Sequence, residues 1–433
     1  MGLRYRVDHL ITMKDEATVV DRGVVDIAAG RVVWSGPETE APPNDGPEEK
    51  LSGLLIPGLV NTHSHNAMVL FRGAGEGLPV DRWLTELIWP REGFLTPEDV
   101  WWGMTLGAAE LLANGVTTTH DMYFFPESGA EAGANAGLRT IVTPPLLTGE
   151  NLTRFGTWEE QLDQMASLAD TYRNHDLVTV GLGPHSAYAV PEEPLRAVAE
   201  LARNKSLHIH LHVAEAEHEG DTIQERTGMT VPRYLEAIGI LDSRTVAAHG
   251  VWLTSDDIAL FSEHEVGVTH SPMSNGKHAS GMAPVIELRS SGVPVGIATD
   301  GPSSHDRLDL FEEMRAAIRY ARLRTGRADA MAATDALTMA TREAGRVLGR
   351  DDLGHLGEGA RADMVLIDTA TLGPIVEPDD LITHLVYSGS PDLVESVWVE
   401  GRQVVNSGIP TLVDVEKARR EVADRARRLA ESI

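Results

Sequence analysis

Six side chains able to bind a metal ion or move a proton lie at or just after the end of an apolar, strand-like run of the sequence: His63, His65, His212, Glu215, His249 and Asp300. His63 and His65 are two residues apart, so on a strand both imidazoles point to the same side. Three imidazoles and a carboxylate, with one position left for water, are typical of a catalytic zinc or similar ion. Because such an ion lowers the pKa of a bound water to about 7, the pattern predicts hydrolysis by metal-activated water.

The composition narrows the classes of partner. The chain of 433 residues has no cysteine, so a metal must be held by His, Asp or Glu. Its formal net charge is −28, which repels a phosphate backbone, so we expect a small-molecule substrate and no nucleic-acid partner. The first residues lack the basic flank and apolar core of a secretory signal, and no apolar stretch is long enough to span a bilayer. We therefore expect a cytoplasmic protein with no membrane partner.

The elements that must position the six side chains alternate between strand-like and helical stretches. Eight apolar runs are interpreted as barrel strands: 54–56, 115–119, 138–142, 178–181, 208–213, 245–248, 266–269 and 293–299. Eight strands separated by helices predict an α/β protein with a (β/α)₈ TIM barrel, whose active site lies at the carboxyl ends of the strands. A doubly wound sheet would also alternate, but no glycine-rich phosphate loop follows the first strand.

The two ends of the chain have a different, strand-rich pattern. A hairpin is predicted around residues 28–30, further strands at 362–367 and 397–399, and an amphipathic helix at 415–433. We expect residues 1–57 and 358–433 to pair into one small β-sandwich. This sandwich would lie beside the barrel domain of residues 58–357.

This arrangement resembles the amidohydrolase superfamily, in its branch of cytosine-, guanine- and adenosine-type deaminases and chlorohydrolases. The resemblance covers essentially the whole chain and implies a metal-dependent enzyme. The residues that match the metal ligands of the branch are His63, His65, His212 and Asp300. Glu215 matches the proton shuttle, and His249 matches the histidine beside the attacking water. His208 and His210 share a face with His212 by alternation, and we interpret them as packed or hydrogen-bonded neighbours.

The lysine content bears on the number of metal ions. Superfamily members with two ions commonly bridge them through a modified lysine on the fourth strand, where this chain has His185. The barrel contains only Lys205, in a helical stretch, and Lys277, in a predicted loop. We therefore expect one divalent ion per subunit, Zn²⁺ in the first place, with Fe²⁺ and Mn²⁺ as alternatives. The resemblance also implies a homo-oligomer.

Within the branch, the chain is most similar to deaminases of 5′-methylthioadenosine and S-adenosylhomocysteine. The matching stretches are 88–92, 121–124, 183–188, 271–275 and 310–315. The resemblance implies that Glu92 binds the ribose hydroxyls and that His185 hydrogen-bonds the purine. Trp89, Ser304 and Arg154 are further candidates for substrate binding.

Two departures from that family bear on the substrate. Members that accept S-adenosylhomocysteine carry an arginine for its carboxylate soon after the third strand, but residues 142–146 contain none, and Arg154 is the candidate substitute. Residues 303–306 also stand where an asparagine pair is usual. We therefore expect deamination of 5′-methylthioadenosine, adenosine or a 5′-modified analogue to the inosine product and ammonia.

Other functions share the same metal ligands. One alternative is deamination of 6-aminodeoxyfutalosine in menaquinone synthesis. Another is hydrolysis of guanine or an s-triazine, which would not need Glu92 to bind ribose. A non-catalytic metal-binding scaffold is a more distant alternative.

Overall fold

The computed structural model describes residues 2–432, apart from the side chains at positions 150, 151 and 153. Its strands are β1 (Leu3–Ile11), β2 (Val19–Ala28), β3 (Arg31–Pro37), β4 (Glu48–Pro57), β5 (Leu59–Ser64), β6 (Val116–Asp121), β7 (Arg139–Val142), β8 (Pro145–Leu146), β9 (Val178–Val180), β10 (Gly183–Pro184), β11 (Ile209–Val213), β12 (Thr245–His249), β13 (Gly267–His270), β14 (Val295–Ile297), β15 (Met364–Ile367), β16 (Val394–Val399), β17 (Arg402–Asn406) and β18 (Ile409–Pro410).

The helices complete the order of elements. The α-helices are α1 (Val80–Trp83), α2 (Trp89–Glu92), α3 (Pro97–Ala113), α4 (Pro126–Ala136), α5 (Trp158–Thr171), α6 (Glu192–Lys205), α7 (Glu217–Thr227), α8 (Val231–Ala237), α9 (Ser255–Glu263), α10 (Pro272–Lys277), α11 (Val285–Ser290), α12 (Leu310–Thr325), α13 (Ala333–Met339), α14 (Arg342–Val347), α15 (Asp380–Ser388) and α16 (Val415–Ala430). A π-helical turn, Leu84–Ile88, joins α1 to α2. No helix within residues 2–432 has both the length and the apolar composition needed to cross a bilayer.

Eight parallel strands form the barrel. β5, β6, β7 and β9 make one parallel sheet, and β11 to β14 make a second. The two sheets are joined on one side by a parallel bridge between Leu182 and Ile209, and on the other by a hydrogen bond of 3.2 Å from Asp300 N to His63 O. On that second side, a Cβ on Gly296 would lie 2.5 Å from Thr62 Cγ2, so only glycine lets β14 approach β5 this closely. The predicted (β/α)₈ barrel is confirmed.

Both chain ends share one eight-stranded sheet, in the order β18-β17-β16-β15-β4-β1-β2-β3. The N-terminal part joins the C-terminal part where β4 pairs antiparallel with β15. A separate hydrophobic core forms on this sheet from side chains of both ends, including Tyr5, Leu55, Met364 and Trp398. This arrangement is consistent with the predicted β-sandwich, and the predicted hairpin is the turn between β2 and β3.

One strand assignment was wrong. The apolar run 54–56 is not the first barrel strand, because it belongs to β4 and pairs with β1 and β15 in the terminal sheet. The first barrel strand is β5, which begins at Leu59, two residues after β4 ends. Both strands are fully buried around Gly58, so a continuous apolar run spans the boundary between the sheet and the barrel.

Candidate metal centre and active site

The six side chains predicted from the sequence all lie at the carboxyl ends of barrel strands. His63 is on β5 and His65 just after it, His212 is on β11, His249 ends β12, and Glu215 and Asp300 follow β11 and β14. The backbone turns sharply at three of these strand ends. Ala214, His249 and Asp300 have φ angles of 51°, 73° and 57°, in the left-handed region that non-glycine residues rarely adopt. Such strained turns are frequent at functional sites.

Four of these side chains converge on one point. Asp300 Oδ1 lies 3.3 Å from His63 Nε2 and 3.3 Å from His65 Nε2, and His212 Nε2 lies 3.4 Å from His65 Nε2. Ligand atoms of His63, His65 and His212 all lie within 4.8 Å of one another, and so do those of His63, His249 and Asp300. A single ion placed within either group could contact all three of its ligand atoms.

Hydrogen bonds at the far side of the rings orient two of the imidazoles. His65 Nδ1 lies 2.6 Å from the carbonyl oxygen of Met122, and His212 Nδ1 lies 2.8 Å from that of His185. A carbonyl oxygen only accepts, so each Nδ1 must carry the proton and donate it. The tautomer with its proton on Nδ1 has its lone pair on Nε2, directed at the point of convergence.

A longer chain of hydrogen bonds orients His63. Its Nδ1 lies 2.8 Å from His210 Nε2, and His210 Nδ1 lies 2.8 Å from Thr143 Oγ1, which lies 3.3 Å from the carbonyl oxygen of Asp121. Because this series of hydrogen bonds ends at a carbonyl oxygen, which only accepts, the Thr143 hydroxyl donates to that oxygen and accepts a hydrogen bond from His210 Nδ1. His210 Nε2 then accepts from His63 Nδ1, which leaves the lone pair of His63 on Nε2. We call this series the Thr143–His210–His63 relay.

His208 does not reach the centre. Its Nε2 lies 3.2 Å from His120 Nε2, and the His120 ring stacks on His210 with the ring centroids 3.8 Å apart. His208 and His210 are thus packed and hydrogen-bonded inside the barrel, in agreement with their interpretation from the sequence.

The protonation states and the unpartnered atoms fit a divalent metal ion. Burial lowers the pKa of His63 to about 4 and that of His212 well below its usual value, so both rings are neutral at pH 7. The Asp300 carboxylate accepts hydrogen bonds from the Gly301 N–H at 2.7 Å and from Ser274 Oγ at 2.6 Å, which favour its ionised form. Neutral imidazoles and an ionised carboxylate are the forms that bind metals. Among the described residues, His63 Nε2 and His249 Nε2 are buried without a hydrogen-bond partner, as expected of atoms that await a ligand.

Neither barrel lysine takes part in this cluster. Lys205 Nζ lies 2.8 Å from Asp170 on α5. Lys277 forms an ion pair with Asp306 and donates to the Ser303 carbonyl at 3.0 Å. Lys277 ends helix α10 rather than lying in a loop, because residues 272–277 form a short α-helix that begins with a proline.

Glu215 and His249 lie together beside the cluster. Glu215 Oε2 is 3.7 Å from His249 Nε2, and both side chains are buried. His249 Nδ1 lies 2.9 Å from Asn275 Oδ1, and the backbone N–H of Glu215 donates to Glu219 Oε2 at 2.9 Å. Burial would lower the pKa of His249, but the carboxylates of Glu215 and Asp300 raise it. This pair can therefore hold a proton next to the converging ligands.

The cluster opens into a cavity. Of the predicted site residues, those that line it are His65, Trp89, Glu92, His185, His212, Glu215, His249, Asp300 and Ser304. Burial raises the pKa of Glu92 to about 7, partly offset by the Tyr123 hydroxyl. His63 is completely buried and is not part of the cavity wall. Arg154 lies outside the cavity, where its Nη1 donates to the Gly93 carbonyl at 2.7 Å.

Several residues of the site had no role assigned from the sequence. Ser274 Oγ donates to Asp300 Oδ2 at 2.6 Å, and Asn275 Oδ1 contacts His249 Nδ1. Both residues lie in the stretch 271–275, which resembles the family but does not by itself indicate what these two side chains do. His278 also lines the cavity. No sequence pattern indicated a functional role for it, because a single histidine after Lys277 is not part of a recognisable spacing.

Known proteins resemble this chain in both sequence and structure. The sequence pattern of the amidohydrolase family matches residues 54–404. A 5-methylthioadenosine/S-adenosylhomocysteine deaminase of Pelotomaculum thermopropionicum is 36% identical, over 97% of each chain. A 5′-deoxyadenosine deaminase of Methanothermobacter thermautotrophicus is 38% identical, over 86% of each. The crystal structure of an adenosine deaminase from Xanthomonas campestris with bound zinc has a TM-score of 0.93 and 29% identity, covering 99% of this chain and 98% of that one.

Proposed function

Because the chain belongs to the amidohydrolase family, we propose that it hydrolytically deaminates an adenine nucleoside to the inosine product and ammonia. The observation that carries this proposal is a single cavity lined by His65, His212 and Asp300 of the converging cluster and also by the buried Glu92. The cluster can hold the metal ion that activates water for hydrolysis, and the Glu92 carboxyl can accept hydrogen bonds from the ribose hydroxyls. The names of the relatives, which are deaminases of adenine nucleosides, support the same reaction.

The cofactor in this proposal is one zinc ion per subunit, held by His63, His65, His212 and Asp300. The similar Xanthomonas enzyme contains zinc, and the two lysines of the barrel lie away from the cluster. When bound, zinc supplies activation of a water molecule at neutral pH.

The protein's own groups would move the protons and steady the charge. Glu215 donates its proton to the purine nitrogen next to the attacked carbon and recovers one from the hydroxyl of the tetrahedral centre as the carbon–nitrogen bond breaks. The Asp300 carboxylate orients the water and accepts a proton from it, and this proton then passes to the amino group, which leaves as ammonia. His249, held through Asn275, donates toward the oxygen that becomes negative as the carbon turns tetrahedral.

Other residues would place the nucleoside. Glu92 accepts hydrogen bonds from the ribose hydroxyls, and the neutral ring of His185, whose pKa burial lowers to about 3, contacts the purine. Trp89, whose ring meets His185 edge to face at 5.8 Å, and Ser304 complete this part of the wall. No Arg or Lys is among the described residues that line the cavity. A 5′ carboxylate would therefore be desolvated without a cation, so S-adenosylhomocysteine should be a poor substrate.

The test is ammonia release by zinc-loaded protein from adenosine, 5′-methylthioadenosine, 5′-deoxyadenosine, S-adenosylhomocysteine and 6-aminodeoxyfutalosine, with guanine and melamine as controls. We expect turnover of nucleosides with an uncharged 5′ end, and a loss of about 10²- to 10⁴-fold in kcat for Glu215→Gln. Glu217→Gln, an exposed glutamate two residues further on, is the matched control and should keep full activity.

Three results would count against the proposal. Turnover of guanine or melamine without turnover of nucleosides would assign the chain to the guanine or triazine type. Equal activity on S-adenosylhomocysteine and 5′-methylthioadenosine would contradict the uncharged 5′ pocket. Zinc binding without turnover of any compound would favour a scaffold.

A further inference from the structure

His278 is a polar residue of the cavity wall that the proposed function does not use. It directly follows helix α10, and its side chain is buried, with 4% of its surface exposed. Its ring lies against that of Trp83, with the centroids 4.8 Å apart and the planes at 49°. Both residues line the same cavity as the metal cluster.

The hydrogen bonds of His278 determine which atom it offers to a ligand. Its Nδ1 lies 3.1 Å from the carbonyl oxygen of Leu78, which can only accept, so Nδ1 carries the proton. The tautomer with its proton on Nδ1 has its lone pair on Nε2. This nitrogen is buried and has no partner among the described residues. Since buried polar atoms in native proteins are almost always paired, the missing partner points to a bound molecule.

The ring that packs against His278 offers no substitute for it. The indole N–H of Trp83 is already used, because it donates to the Ala74 carbonyl at 3.1 Å. A polar group of the substrate that reached this part of the wall would depend on His278 Nε2.

The lone pair on His278 Nε2 determines which group of a ligand this side chain can bind. An acceptor requires an O–H or N–H donor, so the purine ring nitrogens, which are acceptors themselves, are unsuitable partners. In the proposed function the 6-amino group lies at the metal cluster and the 2′- and 3′-hydroxyls bind Glu92. The donor of adenosine that remains without a partner is the 5′-hydroxyl.

We propose that His278 accepts a hydrogen bond from the 5′-hydroxyl of adenosine and so selects adenosine over nucleosides that lack this group. This inference rests on the proposed function, whose substrate class it narrows. A 5′-deoxy or 5′-methylthio nucleoside would leave Nε2 buried and unpaired, which should lower kcat/KM about 10- to 100-fold relative to adenosine.

The experiment compares kcat/KM for adenosine and 5′-deoxyadenosine, which differ only in the 5′-hydroxyl. In the wild-type protein we expect the ratio to favour adenosine at least tenfold. His278→Leu should reduce the ratio to near one by slowing adenosine alone. His278→Gln should restore part of it, because its amide can donate to Leu78 and accept from the substrate. The matched control is His264→Leu, since His264 Nδ1 also lies 3.1 Å from a backbone carbonyl, that of Leu241, but away from the cavity.

Dissociation constants provide a second readout that does not depend on turnover. In the Glu215→Gln background, His278→Leu should weaken the binding of adenosine but not of 5′-deoxyadenosine. If His278→Leu fails to fold, the ratio of kcat/KM for adenosine to that for 5′-deoxyadenosine in the wild-type protein still tests the proposal.

The outcomes separate the two proposals. If both nucleosides are turned over at equal rates, or if His278→Leu slows both equally, the role of His278 is overturned and the deaminase assignment stands. If S-adenosylhomocysteine is the substrate that depends most on His278, the donor is its ammonium group and the 5′-hydroxyl proposal is wrong. If no adenine nucleoside is turned over or bound, the proposed function itself fails.

Discussion

At the scale of single residues, Glu92 combines a proposed binding role with a cost in stability. Burial raises its pKa from 4.5 to about 7. Below pH 4.5 the carboxyl is protonated in both the folded and the unfolded chain, so its burial has no pH-dependent cost. As the pH rises from 4.5 to 7, the unfolded chain ionises first, and the free energy of unfolding decreases.

Glu92→Gln should therefore stabilise the protein at alkaline pH while weakening nucleoside binding. At pH 8 the expected gain in the free energy of unfolding is about 3 kcal/mol, and it should shrink as the pH is lowered towards 5. Urea unfolding of the metal-loaded protein at several pH values measures it, with Glu76→Gln, an exposed glutamate, as the control. A gain that is the same at pH 5 and pH 8 would show that Glu92 does not titrate as its burial implies.

The sequence predicted which side chains would converge but not what orients them. His63, His65 and Asp300 could be found because barrel geometry places the ends of strands together. The partner of His65 Nδ1 is the backbone carbonyl of Met122, and any residue type can present a carbonyl. Arg154 shows the opposite outcome. Its charge and its position in the sequence made it a candidate for binding a substrate carboxylate, but its side chain lies outside the cavity.

At the scale of elements, the Thr143–His210–His63 relay connects three barrel strands. Thr143 follows β7, His210 lies on β11 and His63 on β5, so the relay fixes a candidate metal ligand through the relative position of distant strands. Thr143→Val keeps the shape of the side chain but removes the acceptor for His210 Nδ1. The proton of that nitrogen then has no partner, and the His63 tautomer is no longer fixed.

Thr143→Val should weaken zinc binding about 10- to 100-fold, as is typical when a group that orients a ligand is lost. Competition with a chromogenic chelator measures the affinity without reference to activity. Thr143→Ser, which retains the hydroxyl, should bind zinc like the wild type. Wild-type affinity in Thr143→Val would mean that the relay has no part in holding the ligand.

The elements themselves could be predicted except at one junction. Seven of the eight predicted runs overlap barrel strands or lead directly into them, because buried parallel strands are apolar throughout. The run 54–56 was misassigned because β4 and β5 are separated only by Gly58 and are buried alike. Periodicity cannot separate two consecutive buried strands that belong to different sheets.

At the scale of the whole molecule, Arg139 connects the barrel to the terminal sheet. It lies on β7 with 1% of its side chain exposed, 3.0 Å from Asp363 and 2.6 Å from Glu400, which flank β15 and β16. It also donates to the Asp176 carbonyl at 2.9 Å. Removing it would leave the carboxylate of Asp363 buried without its cation.

Arg139→Met should lower the free energy of unfolding by about 3–5 kcal/mol, measured by urea denaturation. The control is Arg82→Gln, which breaks the exposed pair with Glu86 and should leave the unfolding midpoint unchanged. An unchanged midpoint for Arg139→Met would show that the barrel and the sheet do not depend on this ion pair.

The pairing of β4 with β15 also has a consequence for how the protein is made. During translation β4 emerges early, but the strand that covers its second edge begins only at Met364. Until then the nascent chain presents an open, apolar strand edge next to the strand that bears His63, a situation prone to aggregation. We therefore expect the unfinished chain to aggregate more readily than the complete protein.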